Sequence, residues 1–219
     1  RRGPHAVQIL PDLWLCVHEQ SPQLTREVLS GFRPWREEDQ AESSLPVRFL
    51  ANHVPRMKPG ERPPDHLQDE DVAWKTGDLK TFVQIADAAR EAHDGGVTGK
   101  PFLAVLKADV DRLGFLFGVG LSDPDKGKNR ATLSRYAALS RMLDLFFTGY
   151  LQQRLRERFP DTYTVYAGGD DLLLIGPWRQ TIDLARDLNE QFRRYTGDNP
   201  NITLSAGIAL MRDNHPLNR

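Results

Sequence analysis

The second half of the chain carries the clearest hydrophobic pattern. Residues 102–108 (FLAVLKA) form a compact apolar run that ends at Asp109, which is typical of a buried strand. Residues 133–159 place apolar side chains at helical spacing and predict one long helix. Residues 163–167 and 172–175 predict two strands of a hairpin, joined by a Gly-Gly-Asp-Asp turn.

The elements on either side of this hairpin complete a repeating order. Residues 181–195 predict a helix, and residues 202–210 alternate between apolar and polar positions, as a half-buried strand does. Residues 79–93 predict an earlier helix, and a short helix and a charged loop are expected at 113–117 and 122–130. From residue 102 the order is βαββαβ, which predicts an α+β, ferredoxin-like fold with helices packed on one face of an antiparallel sheet.

The first third of the chain lacks a sustained pattern. Short strands are expected within 6–18 and 47–51 and a short helix at 24–29, whereas the proline-rich stretch 55–64 predicts a loop. We therefore expect two parts. Residues 1–78 are predicted to be an irregular segment or linker, the remnant of a neighbouring domain, and residues 79–219 to be the folded α+β domain.

Composition excludes several classes of protein. The 219 residues carry 29 Lys and Arg against 30 Asp and Glu, so the net charge of −1 indicates neither a nucleic-acid nor a membrane partner for the chain as a whole. The single cysteine, Cys16, excludes an internal disulfide and a multi-cysteine zinc site. No apolar run reaches the roughly 18–20 residues that span a bilayer. A cytoplasmic protein is expected, and the chain reads as a segment of a longer polypeptide.

Three carboxylates are predicted to converge at one edge of the sheet. Asp109 ends the first predicted strand, and Asp170 and Asp171 lie in the turn of the neighbouring hairpin. Clustered carboxylates repel each other unless a cation lies between them. Mg²⁺ and Mn²⁺ prefer such oxygen ligands and complete their coordination with water and substrate phosphates. The sequence therefore predicts a metal-dependent nucleoside-triphosphate site.

Neighbouring residues are candidates for holding the nucleotide. Gly168 and Gly169 permit a tight turn and remove side chains where a nucleotide would lie. Backbone N–H groups from Val110 to Gly114 lead into a short helix and are candidates for a triphosphate cradle. Asp111 is a further candidate for binding the cofactor, or it caps the short helix, and both alternatives stay open.

Three segments together resemble one family. These are LKADVDRLG (106–114), LSRYAALSRMLDLFF (133–147) and YAGGDDLLLIG (166–176). In this order and spacing they resemble the large signature subunit of type III CRISPR-Cas effector complexes, the Cas-ten family, and within it the Csm type. The resemblance covers residues from about 77 to the end and indicates the second of the two palm domains of that family, the one with the GGDD motif.

The resemblance implies a specific activity. Family members convert ATP into cyclic oligoadenylate second messengers for antiviral defence when their complex binds target RNA. By the family pattern, Asp109, Asp170 and Asp171 are the catalytic residues and bind Mg²⁺ or Mn²⁺. The implied partners are other subunits of the effector complex, CRISPR RNA and target RNA through that complex, and a second palm domain of the full-length chain besides this one. The isolated chain is expected to have weak activity or none.

Two other functions are compatible with the same residues. The domain could be a catalytically silent scaffold within the CRISPR ribonucleoprotein. It could also be a diguanylate-cyclase-like enzyme, since those enzymes share the palm. They carry Glu and then Phe after Gly-Gly-Asp, however, whereas Asp171 and Leu172 stand here.

Overall fold

In the computed structural model the chain divides into two compact units, Arg1–Leu50 and Ala51–Arg219. The structure describes residues 6–10, 13–16, 33–34, 47–48, 51–61, 75–93, 96–120, 122–123, 128–129 and 131–212. In the first unit, β1 (Ala6–Leu10) and β2 (Leu13–Cys16) form an antiparallel pair. Two short parallel strands follow, β3 (Arg33–Pro34) and β4 (Val47–Arg48). The strands predicted within 6–18 and 47–51 are confirmed, whereas the helix predicted at 24–29 lies outside the described residues.

The second unit contains an antiparallel sheet with long helices. Its elements in chain order are α1 (Phe82–Asp87), β5 (Glu91–His93), β6 (Gly96–Thr98), β7 (Phe102–Val110), α2 (Leu113–Gly118), β8 (Ser122–Asp123), β9 (Lys128–Asn129), α3 (Leu133–Leu145), a π-helical segment (Phe146–Tyr150), α4 (Leu151–Arg158), β10 (Tyr163–Gly168), β11 (Asp171–Pro177), α5 (Trp178–Tyr195) and β12 (Leu204–Arg212). The main sheet has the order β10-β11-β7-β12, with every neighbouring pair antiparallel. This is the ferredoxin-like arrangement, which confirms the predicted fold class.

The two faces of the main sheet carry separate hydrophobic cores. On one face, Leu106, Ala108 and Val110 of β7 pack with residues of α3, α4 and α5 into the larger core. On the other face, Leu103 joins the smaller core that includes Ile85 of α1. The long helices therefore cover one face, as predicted, while α1 covers the other face at the end of β7 that lies far from Asp109.

The helix predicted at 79–93 is wrong beyond residue 87. Thr81 forms a capping box with Gln84 at the start of α1, and the chain turns at Ala88. Residues 91–93 then pair with residues 96–98 as an antiparallel hairpin. Because two adjacent glycines, at 95 and 96, favour a tight hairpin connection, strand pairing prevails here over continuation of the amphipathic helix. The loop predicted at 122–130 likewise contains the short strand pair β8 and β9.

The predicted long helix is continuous but not uniformly α-helical. It runs from Leu133 to Arg158, and residues 146–150 adopt π-helical geometry. The hydroxyl of Thr148 donates to the carbonyl of Asp144 at 2.7 Å within this region. Phe146 and Phe147 are fully buried against Phe192 of α5. The π-helical segment therefore lies where the helix is most tightly packed, and such segments occur often near functional sites.

Residues 51–61 pack onto the edge of the main sheet. The Thr164 N–H in β10 donates to the His53 carbonyl at 2.9 Å, and the His53 N–H donates to Gln152 Oε1 at 3.0 Å. The Lys80 side chain, only 4% exposed, forms ion pairs with Glu61 and with Asp161, the latter at 2.8 Å. The boundary predicted between residues 78 and 79 stays a prediction, but these contacts attach residues on both of its sides to the same sheet. Within the described part of the chain, no helix has the length and apolar character that a membrane span requires.

We expect Lys80→Met to destabilise the second unit by about 2 kcal/mol, because it removes the ion pairs that Lys80 forms with the half-buried Glu61 and Asp161 carboxylates. The measurement is urea denaturation followed by far-UV circular dichroism. The matched control is Arg186→Met, since Arg186 and Asp183 form an exposed pair at 3.7 Å whose loss should cost less than about 0.5 kcal/mol. Equal effects of the two substitutions would contradict this prediction.

Candidate active site

Two of the predicted site carboxylates face each other across the central strands. Asp109 of β7 is the register partner of Asp171 of β11. The Val110 N–H also donates to the Asp170 carbonyl at 2.9 Å, which continues the pairing to the edge of the turn. Because alternate residues of a strand point to opposite faces, Asp109 and Asp171 lie on the face that the long helices leave open. The convergence expected from the topology is therefore present in the backbone.

The GGDD motif contains a two-residue turn. Gly168 pairs with Asp171, so Gly169 and Asp170 alone connect β10 to β11. Gly168 has φ 155° and Gly169 has φ 67°, and both values favour glycine. A Cβ atom on Gly169 would meet nothing within 4 Å, so backbone conformation, rather than lack of space within the chain, requires glycine there.

The carboxylates of the site repel one another. The pKa of Asp109 is raised, first by partial burial and then by the negative charges of Asp170, Asp171 and Asp111. A divalent cation would relieve this repulsion, and carboxylate oxygens are the donors that Mg²⁺ and Mn²⁺ prefer. The donor chemistry therefore fits. Among the described residues, however, no group of three or more Asp, Glu, His or Cys side chains is already gathered to hold a metal ion.

Asp111 is held by hydroxyl groups of the neighbouring chain segment. Thr203 Oγ1 donates to Asp111 Oδ2 and Ser205 Oγ donates to Asp111 Oδ1, each at 2.6 Å. The Ser205 and Thr203 hydroxyls lower the pKa of Asp111. The alternative that Asp111 caps the short helix is wrong, because the N-cap position of α2 is Arg112, which makes no side-chain capping bond. Asp111 instead ties the end of β7 to the start of β12.

The predicted phosphate cradle has fewer available backbone N–H groups than the sequence suggested. The Val110 N–H donates to the Asp170 carbonyl, and the Asp111 N–H donates to the Thr203 carbonyl at 2.9 Å. These two donors therefore already have protein acceptors. Gly114 lies in the first turn of α2, where backbone N–H groups have no acceptor within the helix. The expected cradle reduces to this turn.

Two residues near the turn had not been predicted from the sequence. The Tyr166 hydroxyl donates to Asp171 Oδ2 at 3.2 Å. The pKa of Tyr166 is raised by burial and by the charge of Asp171, so its hydroxyl stays protonated and able to donate. Asp144 of α3 places Oδ1 3.5 Å from the Gly169 N–H. Nothing in the local pattern marks Asp144, whereas Tyr166 is marked by its position two residues before Gly168 on the predicted strand.

We expect the double variant Thr203→Val/Ser205→Ala to lose about 1 kcal/mol of stability at pH 7, because the exposed Asp111 carboxylate loses both donors. The pKa of Asp111 is depressed in the folded state, so this contribution is present above the unfolded value of about 3.9 and disappears as the pH falls through the folded value. Urea denaturation of wild type and variant at pH 7 and pH 3 measures the difference.

The matched control for this pair is Thr196→Val, whose hydroxyl donates to the neutral carbonyl of Arg193 at 3.0 Å. Its small cost should not change between pH 7 and pH 3. A wild-type advantage over the double variant that stays constant across this range would show that the Asp111 carboxylate is not what the hydroxyls stabilise.

Comparison with known proteins places this site in context. The chain is 42% identical over 125 residues to the CRISPR system single-strand-specific deoxyribonuclease Cas10/Csm1 (subtype III-A) of Methanocaldococcus jannaschii, which covers 52% of this chain and 15% of that protein. It is 31% identical over 212 residues to the protein of the same name from Thermococcus onnurineus, covering 87% and 24%. The chain thus spans less than a quarter of the length of these relatives.

Solved structures show the same similarity. The apo Csm1–Csm4 cassette matches 85% of this chain and 24% of its own, with a TM-score of 0.58 and 26% identity. The cassette in complex with cA4 matches 84% and 24%, with a TM-score of 0.57 and 25% identity.

A family model gives the most specific result. The model of the second palm domain of Cas10/Cmr2 matches residues 102–219, more than half of the chain. This range begins at the first residue of β7 and includes the paired carboxylates, the Gly-Asp turn and β12. The chain therefore belongs to the Cas10/Cmr2 family, and it contains the second palm domain of that family.

Proposed function

We propose that this chain is the nucleotidyltransferase palm of a type III CRISPR effector complex and that it converts ATP into cyclic oligoadenylates in antiviral defence. The observation that carries the proposal is the pairing of Asp109 with Asp171 beside a two-residue Gly-Asp turn. The ligands of similar solved cassettes support it. Their complexes contain one ATP, AMPPNP, pppApApA and cA4.

We assign Mg²⁺ or Mn²⁺ to Asp109, Asp170 and Asp171. Asp109 and Asp171 are brought together by strand register, and Asp170 neighbours Asp171 in the turn. The pKa of Asp109 is raised first by desolvation and then by the negative charges of Asp170, Asp171 and Asp111, and a bound cation would offset that second cause. When bound, a divalent cation supplies positive charge for the phosphate oxygens of the nucleotide.

The residues of the chain contribute binding and orientation. In the proposed reaction the 3′-hydroxyl of one ATP attacks the α-phosphate of another, a phosphodiester bond forms and pyrophosphate leaves. Gly168 and Gly169 keep the turn free of side chains beside the carboxylates. The first turn of α2, with Gly114, offers backbone N–H groups to phosphate oxygens. The contribution of the protein is thus positioning and charge neutralisation rather than covalent catalysis.

The partners follow from the whole proteins that this chain resembles. The similar solved chains are Csm1–Csm4 cassettes, one of them a subcomplex of the type III-A CRISPR-Csm interference complex. We propose that this chain works beside a Csm4-type subunit and a further palm domain, with CRISPR RNA and target RNA reaching it through the complex in the cytoplasm. A purely scaffolding role is the alternative, and nucleotide binding separates the two.

We expect the 219-residue chain to bind ATP more tightly than GTP, and only when Mn²⁺ or Mg²⁺ is present. Asp170→Asn/Asp171→Asn should abolish this binding, because it removes two of the three proposed ligands and their negative charge. Isothermal titration of each nucleotide, with metal and with chelator, measures both effects.

The matched control is Asp183→Asn, an exposed aspartate of α5 that pairs with Arg186 outside the site. It should leave ATP binding unchanged. ATP binding that survives the double substitution would exclude the assigned ligands, and a folded wild-type chain that binds no nucleotide would favour the scaffold. Preference for GTP would favour the diguanylate-cyclase-like alternative.

A further inference from the structure

β10 contains one more residue than the stretch of β11 that it pairs with. This extra residue changes which side chains of β10 lie on the face of the site. Thr164 is the register partner of Leu174, but Tyr166 is the partner of Leu173. Between these two pairs β10 advances by two residues and β11 by one, so Val165 is the extra residue of a β-bulge. Because side chains alternate along a strand, this single insertion moves every later residue of β10 to the opposite face.

The bulge turns Tyr166 from the covered face to the open face. Without it, Tyr166 would lie opposite Leu172, which is fully buried beneath the helices. With it, Tyr166 lies opposite Leu173, on the face that carries Asp109 and Asp171. The exposure of the side chains before and after the bulge differs as this predicts. Thr164 is 5% exposed, whereas Tyr166 is 39% exposed. Bulges next to active sites commonly re-aim side chains in this way.

The re-aimed tyrosine contacts one carboxylate of the site. Its hydroxyl donates to Asp171 Oδ2 at 3.2 Å, between residues only five positions apart. The bond spans the hairpin, so it links Asp171 to the strand that bears the bulge. A carboxylate held through one oxygen loses little further rotational freedom when its other oxygen binds a cation.

We propose that Tyr166 is a positioning residue that orients the Asp171 carboxylate for a divalent cation, and that the bulge at Val165 exists to place it there. This inference rests on the proposed function in taking Asp171 as a metal ligand. Tyr166 acts through Asp171 and needs no contact with the nucleotide.

The test is the affinity of the 219-residue chain for Mn²⁺ alone, measured by electron paramagnetic resonance of the free ion. Tyr166→Phe removes only the hydroxyl and should weaken Mn²⁺ binding about tenfold, the lower end of the effect that partners of metal ligands have. The matched control is Tyr150→Phe. Tyr150 is also 39% exposed, and its hydroxyl donates to Gln191 Oε1 at 2.8 Å in a helix–helix contact outside the site. Tyr150→Phe should leave Mn²⁺ affinity unchanged.

Two further measurements separate positioning from a structural role and from base stacking. One is thermal unfolding in the absence of metal, and the other is ATP binding by a second variant, Tyr166→Leu. The inference requires Tyr166→Phe to unfold as Tyr150→Phe does while binding Mn²⁺ more weakly. Wild-type Mn²⁺ affinity in Tyr166→Phe overturns it. So does an ATP-binding loss confined to Tyr166→Leu, because the ring would then act by stacking on the base. A wild-type chain that binds no Mn²⁺ overturns the proposed metal site itself, and this inference with it.

Discussion

The pairing of β7 with β11 is the constraint on which the site depends. It continues without a break from Asp171 opposite Asp109 to Pro177 opposite Leu103. Its apolar members, such as Leu106 and Leu174, are fully buried in the core. Two carboxylates on adjacent strands repel each other, yet the ladder and the core hold the backbone that carries them. Burial of apolar surface far from the site thus stabilises an arrangement of charges that would not form on its own.

The groups that hold the carboxylates are hydroxyls rather than cations. Thr203 and Ser205 donate to Asp111, and Tyr166 donates to Asp171. A hydroxyl orients a carboxylate without cancelling its charge, so the carboxylate can still bind a metal ion. Elsewhere in the domain, carboxylates are neutralised directly, as Arg154 does with Asp187.

The fold was predictable from the sequence where apolar runs are long. The strand at 102–108 and the helices at 133–159 and 181–195 are confirmed, because burying their apolar faces determines their place in a βαββαβ fold. The convergence of Asp109 with the GGDD turn followed from this topology. The partners of Asp111 did not, since Thr203 and Ser205 lie 92 and 94 positions away. The amphipathic pattern at 79–93 also failed, because it contains no information about the competing hairpin.

The pattern of apolar and polar residues did not predict the bulge at Val165 either. The bulge determines the length of the turn as well as the face on which Tyr166 lies. Continuing the register of Thr164 with Leu174 would place Ala167 opposite Asp171 and leave residues 168–170 as a three-residue loop. The extra residue instead brings Gly168 opposite Asp171 and leaves only Gly169 and Asp170 in the turn. The tight turn and the outward-facing tyrosine are therefore two results of one insertion. Pairing this same sequence without the bulge would lose both, because a one-residue change of register reverses the face and changes the loop length together.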